Sequence, residues 1–326
     1  MSIMKGVVCA IVSPFDESEE EVDHVSLGRV CEFLIEYGVD AVMVCGTNGE
    51  GNYLSDEERI AVLRTVITES RDRIPVVLQA GLLTTADTIK LISSARKLGA
   101  SAFTVLVPYF FILDDESLFQ HFKRISEEHK DIPIYIYNIP SHTGNDLGPL
   151  LAARIANLFP NFQGVKYSNC DLRTLSEYIT TLPSHDVFVG CDSIYLDALL
   201  AGARGTVSGT VMPFPKEFIR LQESYDSHKI QQANDEQRSI RKLLSRVESF
   251  PLIPAYKQLL FWKGLISTPA VRSPLRRLTD SELSKLREVF EMYWREGVCL
   301  FFELLFLASV QSPQRFTCQF SADVPI

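Results

Sequence analysis

The chain has 326 residues, 46% apolar and 22% charged, which suits one large α/β domain or two medium ones and excludes disordered and fibrous classes. Its formal net charge is −9 with no dense Lys/Arg run, which argues against nucleic acid and anionic membranes as partners. Seven cysteines (Cys9, Cys31, Cys45, Cys170, Cys191, Cys299 and Cys318) are an odd, scattered set without a CxxC pair. They read as reduced, buried thiols in a cytoplasmic protein and not as a disulfide frame or zinc site.

In chain order, eight β-branched runs begin at Gly6 (GVVCAIV), Val39 (VDAVMVCG), Pro75 (PVVLQAG), Ser101 (SAFTVLV), Pro133 (PIYIYN), Gln163 (QGVKYS), Asp186 (DVFVG) and Gly205 (GTVSG). They are apolar almost throughout, the pattern of parallel strands covered on both faces. Segments of helical period lie between them. Ser55 with Glu58 three residues on is a capping box that predicts a helix over 56–70, with Ile60, Val62, Leu63, Val66 and Ile67 as its buried stripe. Leu98-Gly99-Ala100 and Ala201-Gly202-Ala203 read as helix ends that feed the next strand. Eight such repeats predict a closed (β/α)8 TIM barrel over 1–215. A doubly wound open sheet ranks second, because no GxGxxG follows the first strand.

Beyond Pro215 the strands stop, and helical segments at about 216–247, 254–263 and 280–296 predict a C-terminal helical appendage that includes the last barrel helix. From 297 to 326 the text changes to a greasy run followed by Ser, Gln, Pro and Phe without period, a tail with no functional reading. Its most apolar part, 298–310, contains Glu303 and falls short of the roughly 20 residues of a membrane span. The N-terminus lacks the basic start and apolar core of a signal peptide, so a soluble cytoplasmic protein is expected.

Barrel enzymes place their chemistry at the C-terminal strand ends. After the second run comes Cys45-Gly46-Thr47-Asn48-Gly49-Glu50-Gly51, a turn able to aim backbone N–H groups at one small anion, although an ordinary tight loop reads the same way. The fifth run ends Tyr135-Ile136-Tyr137-Asn138-Ile139-Pro140, then Ser141-His142-Thr143-Gly144, and period two puts Tyr135 and Tyr137 on one face. The sixth ends Gly164-Val165-Lys166-Tyr167-Ser168. A lysine in an apolar barrel strand is costly, and an apolar pocket favours the neutral, nucleophilic amine of a Schiff-base lysine. A snorkelling or carboxylate-paired lysine is the plainer alternative. Strands five and six are neighbours, which sets Tyr137 beside Lys166 and lifts the pair above either residue alone.

Together these pieces resemble the dihydrodipicolinate synthase / N-acetylneuraminate lyase family over about residues 4–295. Gly46-Thr47-Asn48-Gly49-Glu50 is similar to its pyruvate-carboxylate loop, Tyr137-Asn138-Ile139-Pro140 to its tyrosine motif and Gly164-Val165-Lys166 to its Schiff-base motif. Gly190-Cys191-Asp192 and Gly205-Thr206-Val207-Ser208 resemble its strand seven and eight signatures. The resemblance implies an imine on Lys166, a proton shuttle at Tyr137, a relay at Thr47, and a 2-oxo acid carboxylate held around Gly46, Thr47, Asn48 and Gly49. It implies no cofactor and no metal, and the six histidines show no HxH or HxxxH spacing. It also implies a homotetramer, with Tyr109 and Phe110 on a loop near a neighbour's site.

Two departures from the synthase pattern stand out. His142 occupies the position of an arginine that grips a substrate carboxylate, and Phe110 that of a second relay tyrosine. They lead to the expectation of a 2-keto-3-deoxy sugar acid aldolase, such as one cleaving 2-keto-3-deoxygluconate to pyruvate and glyceraldehyde. Its hydroxyls would meet His142, Asp192 and Ser208, with Gly190 and Val207 in the pocket wall. The alternative is 4-hydroxy-tetrahydrodipicolinate synthase, which condenses pyruvate with aspartate semialdehyde. N-acetylneuraminate lyase and a non-catalytic 2-oxo-acid-binding barrel stand behind it.

Overall fold

The computed structural model describes residues 3–294. The segment 297–326, with Cys299, Cys318 and the 298–310 run, lies outside them, as do the last two residues of the helix expected at 280–296. The chain divides into two units, Met1–Leu278 and Thr279–Ile326.

The first unit holds eight parallel strands, β1 (Gly6–Ala10), β2 (Ala41–Val44), β3 (Val76–Gln79), β4 (Ala102–Leu106), β5 (Ile134–Asn138), β6 (Phe162–Tyr167), β7 (Asp186–Val189) and β8 (Gly205–Ser208). They pair in chain order and close β8 onto β1, the barrel expected from the eight runs. Helices α1 (His24–Tyr37), α2 (Asp56–Ser70), α3 (Thr85–Ala95), α4 (Asp115–Glu128), α5 (Pro140–Thr143), α6 (Pro149–Leu158), α7 (Leu172–Thr181), α8 (Tyr195–Ala201) and α9 (Pro215–Asp226) alternate with the strands. Then follow α10 (Ile230–Val247) and α11 (Leu252–Trp262), and in the second unit α12 (Asp280–Trp294).

Local chemistry sets the boundaries. Both bonds of the Ser55/Glu58 capping box form, and α2 starts at Asp56. Left-handed backbone at Gly99 and Gly202 ends the helical segments before β4 and β8. The segment read as one helix over 216–247 is two. His228 takes a positive φ of 58° between α9 and α10, and its neighbour Lys229 bonds back to the Ser224 carbonyl.

Period two sends alternate side chains inward, where small and large residues interleave. Ala10, Ala41 and Ala102 leave room for Tyr135 and Phe188, whose rings meet edge to face at 6.1 Å, and Val207 joins this inner layer. The Tyr135 hydroxyl is satisfied by Asp186 at 3.0 Å. Tyr135 is therefore core, while Tyr137, two residues on, stands one level closer to the strand ends.

The cysteines depart from expectation. Cys9, Cys31 and Cys45 are buried free thiols, but Cys170 and Cys191 form a disulfide. Spacing along the chain concealed this pair, because it is the pairing of β6 with β7 that brings their outgoing loops together.

Candidate active site

Strand register assembles the site. Tyr137 of β5 pairs with Lys166 of β6, so both side chains leave the barrel at one level. Lys166 is 4% exposed, and its Nζ lies 3.5 Å from the centroid of the Tyr137 ring. The Tyr137 hydroxyl is 3.1 Å from Thr47 Oγ1 on the loop after β2. Burial alone raises the Tyr137 phenol, but the Lys166 charge and hydrogen bonds from Thr47, Lys166 and Ser168 outweigh it and hold the phenol below its ordinary value. A phenol so tuned gives up its proton to a neighbouring amine or alkoxide more readily than a free one.

The loop Gly46–Gly51 is folded by Glu50 N–H to Thr47 O and Gly51 N–H to Gly46 O, each 3.1 Å, and Ser13 Oγ donates to Gly49 O at 2.8 Å. The Thr47 and Asn48 N–H groups have no partner among the described residues, which leaves two donors for an anion. Asn48 reaches across the barrel mouth to lie against Gly209 beyond β8.

Beneath this loop is a buried ion pair absent from the sequence reading. The Glu50 carboxylate contacts Lys257 Nζ of α11, both side chains fully buried, and accepts the Arg272 N–H at 2.8 Å. Lys257 also donates to Ala270 O at 2.8 Å and lies over the Phe15 ring. Burial pushes the Glu50 carboxyl up and the Lys257 amine down to about 8, each opposed by the partner's charge. Lys257→Met would strand a buried carboxylate. Urea denaturation is expected to show a loss of about 3–5 kcal/mol, with much of it recovered when Glu50→Gln is added. An unchanged midpoint for the single variant would show that the pair does not hold the loop.

On the far side, Ser208 Oγ donates to Asp192 Oδ2 at 2.8 Å and accepts the Thr210 N–H at 3.0 Å. Asp192 Oδ1 is buried and has no protein partner. Burial raises the Asp192 carboxyl to about 6 against hydrogen bonds from Thr210 and Ser208. Gly190 has no space for a side chain, since a Cβ there would lie 2.0 Å from Ser168 Oγ. Val207 faces the inner layer, below the pocket.

The remaining predicted residues sit on the rim. His142 is exposed, with Nδ1 3.0 Å from Ser141 Oγ. Tyr109 packs on the cluster of Leu106, Tyr137 and Ile139, and Phe110 is 79% exposed with a φ of 79°. Asn145, which carried no signal in sequence, pins this segment. Its Oδ1 accepts the Leu113 N–H, and its Nδ2 donates to Pro108 O and Phe111 O, all at 2.7–2.8 Å. Asn138 likewise ties the end of β5 to Asp146 at 2.7 Å and to the Tyr178 hydroxyl at 3.0 Å. Among the described residues, no three His, Cys, Asp or Glu side chains converge to hold a metal ion.

Comparison with known proteins gives the family and the fold. The model of the dihydrodipicolinate synthetase family matches residues 3–292. A 4-hydroxy-tetrahydrodipicolinate synthase of Sulfurihydrogenibium sp. is 34% identical over 293 residues, 88% of this chain and 98% of that protein. The crystal structure of dihydrodipicolinate synthase from Aquifex aeolicus superposes with a TM-score of 0.85 at 30% identity, covering 89% of this chain and 98% of that one. That from Thermotoga maritima gives 0.84 at 31%, covering 89% and 99%.

Proposed function

The chain belongs to the dihydrodipicolinate synthetase family, and from that premise we propose that it is a class I pyruvate-dependent enzyme whose imine forms on Lys166. The observation that carries this reading is the unbroken contact from the Lys166 amine through the Tyr137 phenol to Thr47, drawn from three strand ends. In this reading the 2-oxo acid lays its carboxylate on the Thr47 and Asn48 N–H groups. The Lys166 amine attacks the keto carbon, Tyr137 carries a proton to the departing hydroxyl, and water leaves. The Tyr137 phenolate then takes a C3 proton, the protonated imine accepts the electron pair of that C–H bond, and the resulting enamine adds through C3 to an aldehyde whose oxygen takes the proton back from Tyr137. Run backwards, the same steps cleave a carbon–carbon bond.

For the aldehyde partner, the order of the two sequence expectations reverses. Relatives at 32–34% identity are named 4-hydroxy-tetrahydrodipicolinate synthase, so condensation of pyruvate with aspartate semialdehyde is the first reading. Cleavage of a 2-keto-3-deoxy sugar acid is the second, favoured by the unpartnered Asp192 Oδ1, an acceptor suited to a substrate hydroxyl. The exposed Phe110–Ile112 segment is then the face that a second copy covers.

Parallel assays decide between partners. The first reading expects kcat/KM with pyruvate and aspartate semialdehyde to exceed that for 2-keto-3-deoxygluconate cleavage by about 100-fold or more. The opposite ratio establishes the second. In that case KM for the sugar acid rises as pH falls through about 6, where Asp192 takes up a proton, and Asp192→Asn loses that dependence. No turnover with either would return the chain to a binding barrel.

A further inference from the structure

We propose that the Cys170–Cys191 bridge is a thiol–disulfide exchange site at the mouth of the pocket, which takes a dithiol reductant and sets how firmly the aldehyde-side wall is held. The two cysteines stand on the outgoing loops of adjacent strands, Cys170 four positions after Lys166 and Cys191 directly before Asp192. Register pairs Tyr167 with Val189, so the loops leave the barrel side by side, and the Gly190 N–H bonds to Tyr167 O at 2.8 Å. The bridge therefore joins the strand end bearing the amine to the one bearing Asp192, whose Oδ1 has no partner among the described residues.

Access to the two sulfurs is unequal. Cys170 is exposed, whereas Cys191 is 8% exposed, so a thiolate from solvent meets Cys170 first. The Ser193 hydroxyl lies 3.2 Å from Cys191 Sγ and 3.9 Å from Cys170 Sγ. It is thus placed to donate to Cys191 as that sulfur departs as a thiolate, and a stabilised leaving group speeds exchange. One reductant sulfur bonds to Cys170 as the protein S–S bond breaks and Cys191 leaves with the electron pair. The second reductant thiol then displaces Cys170 and closes the oxidised dithiol. Two electrons pass to the protein, and the two reductant protons end on Cys170 and Cys191. Cys9, Cys31 and Cys45 are buried, and desolvation raises their thiols, the latter two to about 12. Among the described residues the exchange is thereby confined to one pair.

The bridge acts by positioning. Ser168, two residues before Cys170, packs on Gly190 and hydrogen-bonds the Tyr137 phenol, while Asp192 follows Cys191 immediately. Opening the bridge unlinks the loops that leave β6 and β7, and Asp192 is then held by Ser208 and by Gln237, which donates to the Asp192 carbonyl at 3.0 Å. Lys166 stays anchored within β6. The kinetic consequence rests on the function proposed above, and the exchange site itself does not.

The full-length protein is equilibrated with oxidised or reduced dithiothreitol and mapped by non-reducing peptide mass spectrometry. It is then assayed for the borohydride-trapped pyruvate adduct and for KM toward aspartate semialdehyde and glyceraldehyde. The oxidised protein is expected to give the Cys170–Cys191 peptide. Reduction is expected to raise KM for the aldehyde used on the order of tenfold, within the range a 1 Å misplacement produces, without changing adduct yield. Cys170→Ser should match the reduced form and ignore dithiothreitol. Absence of the bridged peptide, pairing of either cysteine elsewhere, or equal KM in both states would overturn the proposal. Absence of any pyruvate adduct overturns the proposed function instead, and the peptide map alone then decides the exchange site.

Discussion

Lys166→Ala is expected to lose turnover by a factor on the order of 10⁴ or more, the scale on which removal of a covalent nucleophile acts. Wild-type protein treated with pyruvate and borohydride should gain a reduced pyruvyl group on the peptide containing Lys166, and the variant should gain none. The competing amines make this a discriminating result. Burial lowers both Lys257 and Lys263, the second well below its ordinary range, so both are rival candidates for the adduct. Geometry points elsewhere. Lys257 is closed in by Glu50 and Ala270, and Lys263 donates to Pro213 O at 2.7 Å and lies 4.8 Å from the centroid of the Phe33 ring. Only Lys166 of the three stands against a phenol at a strand end. An adduct on either of the others, in a variant that melts as wild type does, would refute the assignment.

The barrel was legible because parallel strands covered on both faces leave uninterrupted apolar runs, and each run lies within two residues of its strand. Lys166 and Tyr137 were legible for a related reason. Period two and strand order are local rules, and together they predict the observed cross-strand pair. What escaped depends on distance in sequence or on a single backbone angle. Glu50 meets Arg272 across 222 positions and Lys257 almost as far, and no pattern announces either. The break between α9 and α10 rests on His228 in left-handed backbone, without the glycine or proline that usually marks such a stop. Cys170 and Cys191 looked scattered because the rule applied to them concerned spacing, and their contact follows from strand adjacency. His142 was read from a motif position, which fixes its place in the loop and not the direction of its side chain.

Tyr137→Phe separates the imine from the proton transfers that make it useful. The ring stays, so the packing with Leu106 and Ile139 survives, and the lost hydroxyl contact with Thr47 costs stability only about 1 kcal/mol. Catalysis is expected to suffer far more. Without the hydroxyl, the carbinolamine has no positioned acid to expel its water and the enamine no group to relay a proton to the new alkoxide. Turnover is expected to fall roughly 10²–10⁴-fold. The borohydride adduct on Lys166 should still form, more slowly, because the amine and the carboxylate donors of Thr47 and Asn48 are untouched. That combination, trapped imine with little turnover, distinguishes a shuttle from a residue that merely shapes the pocket. Thr47→Ser, which keeps the hydroxyl, should retain most activity, whereas Thr47→Val should fall toward the Tyr137→Phe rate. If Tyr137→Phe turned over within a fewfold of wild type, the proton would have to travel by another group. Tyr109, packed on the same cluster, is the next hydroxyl to remove.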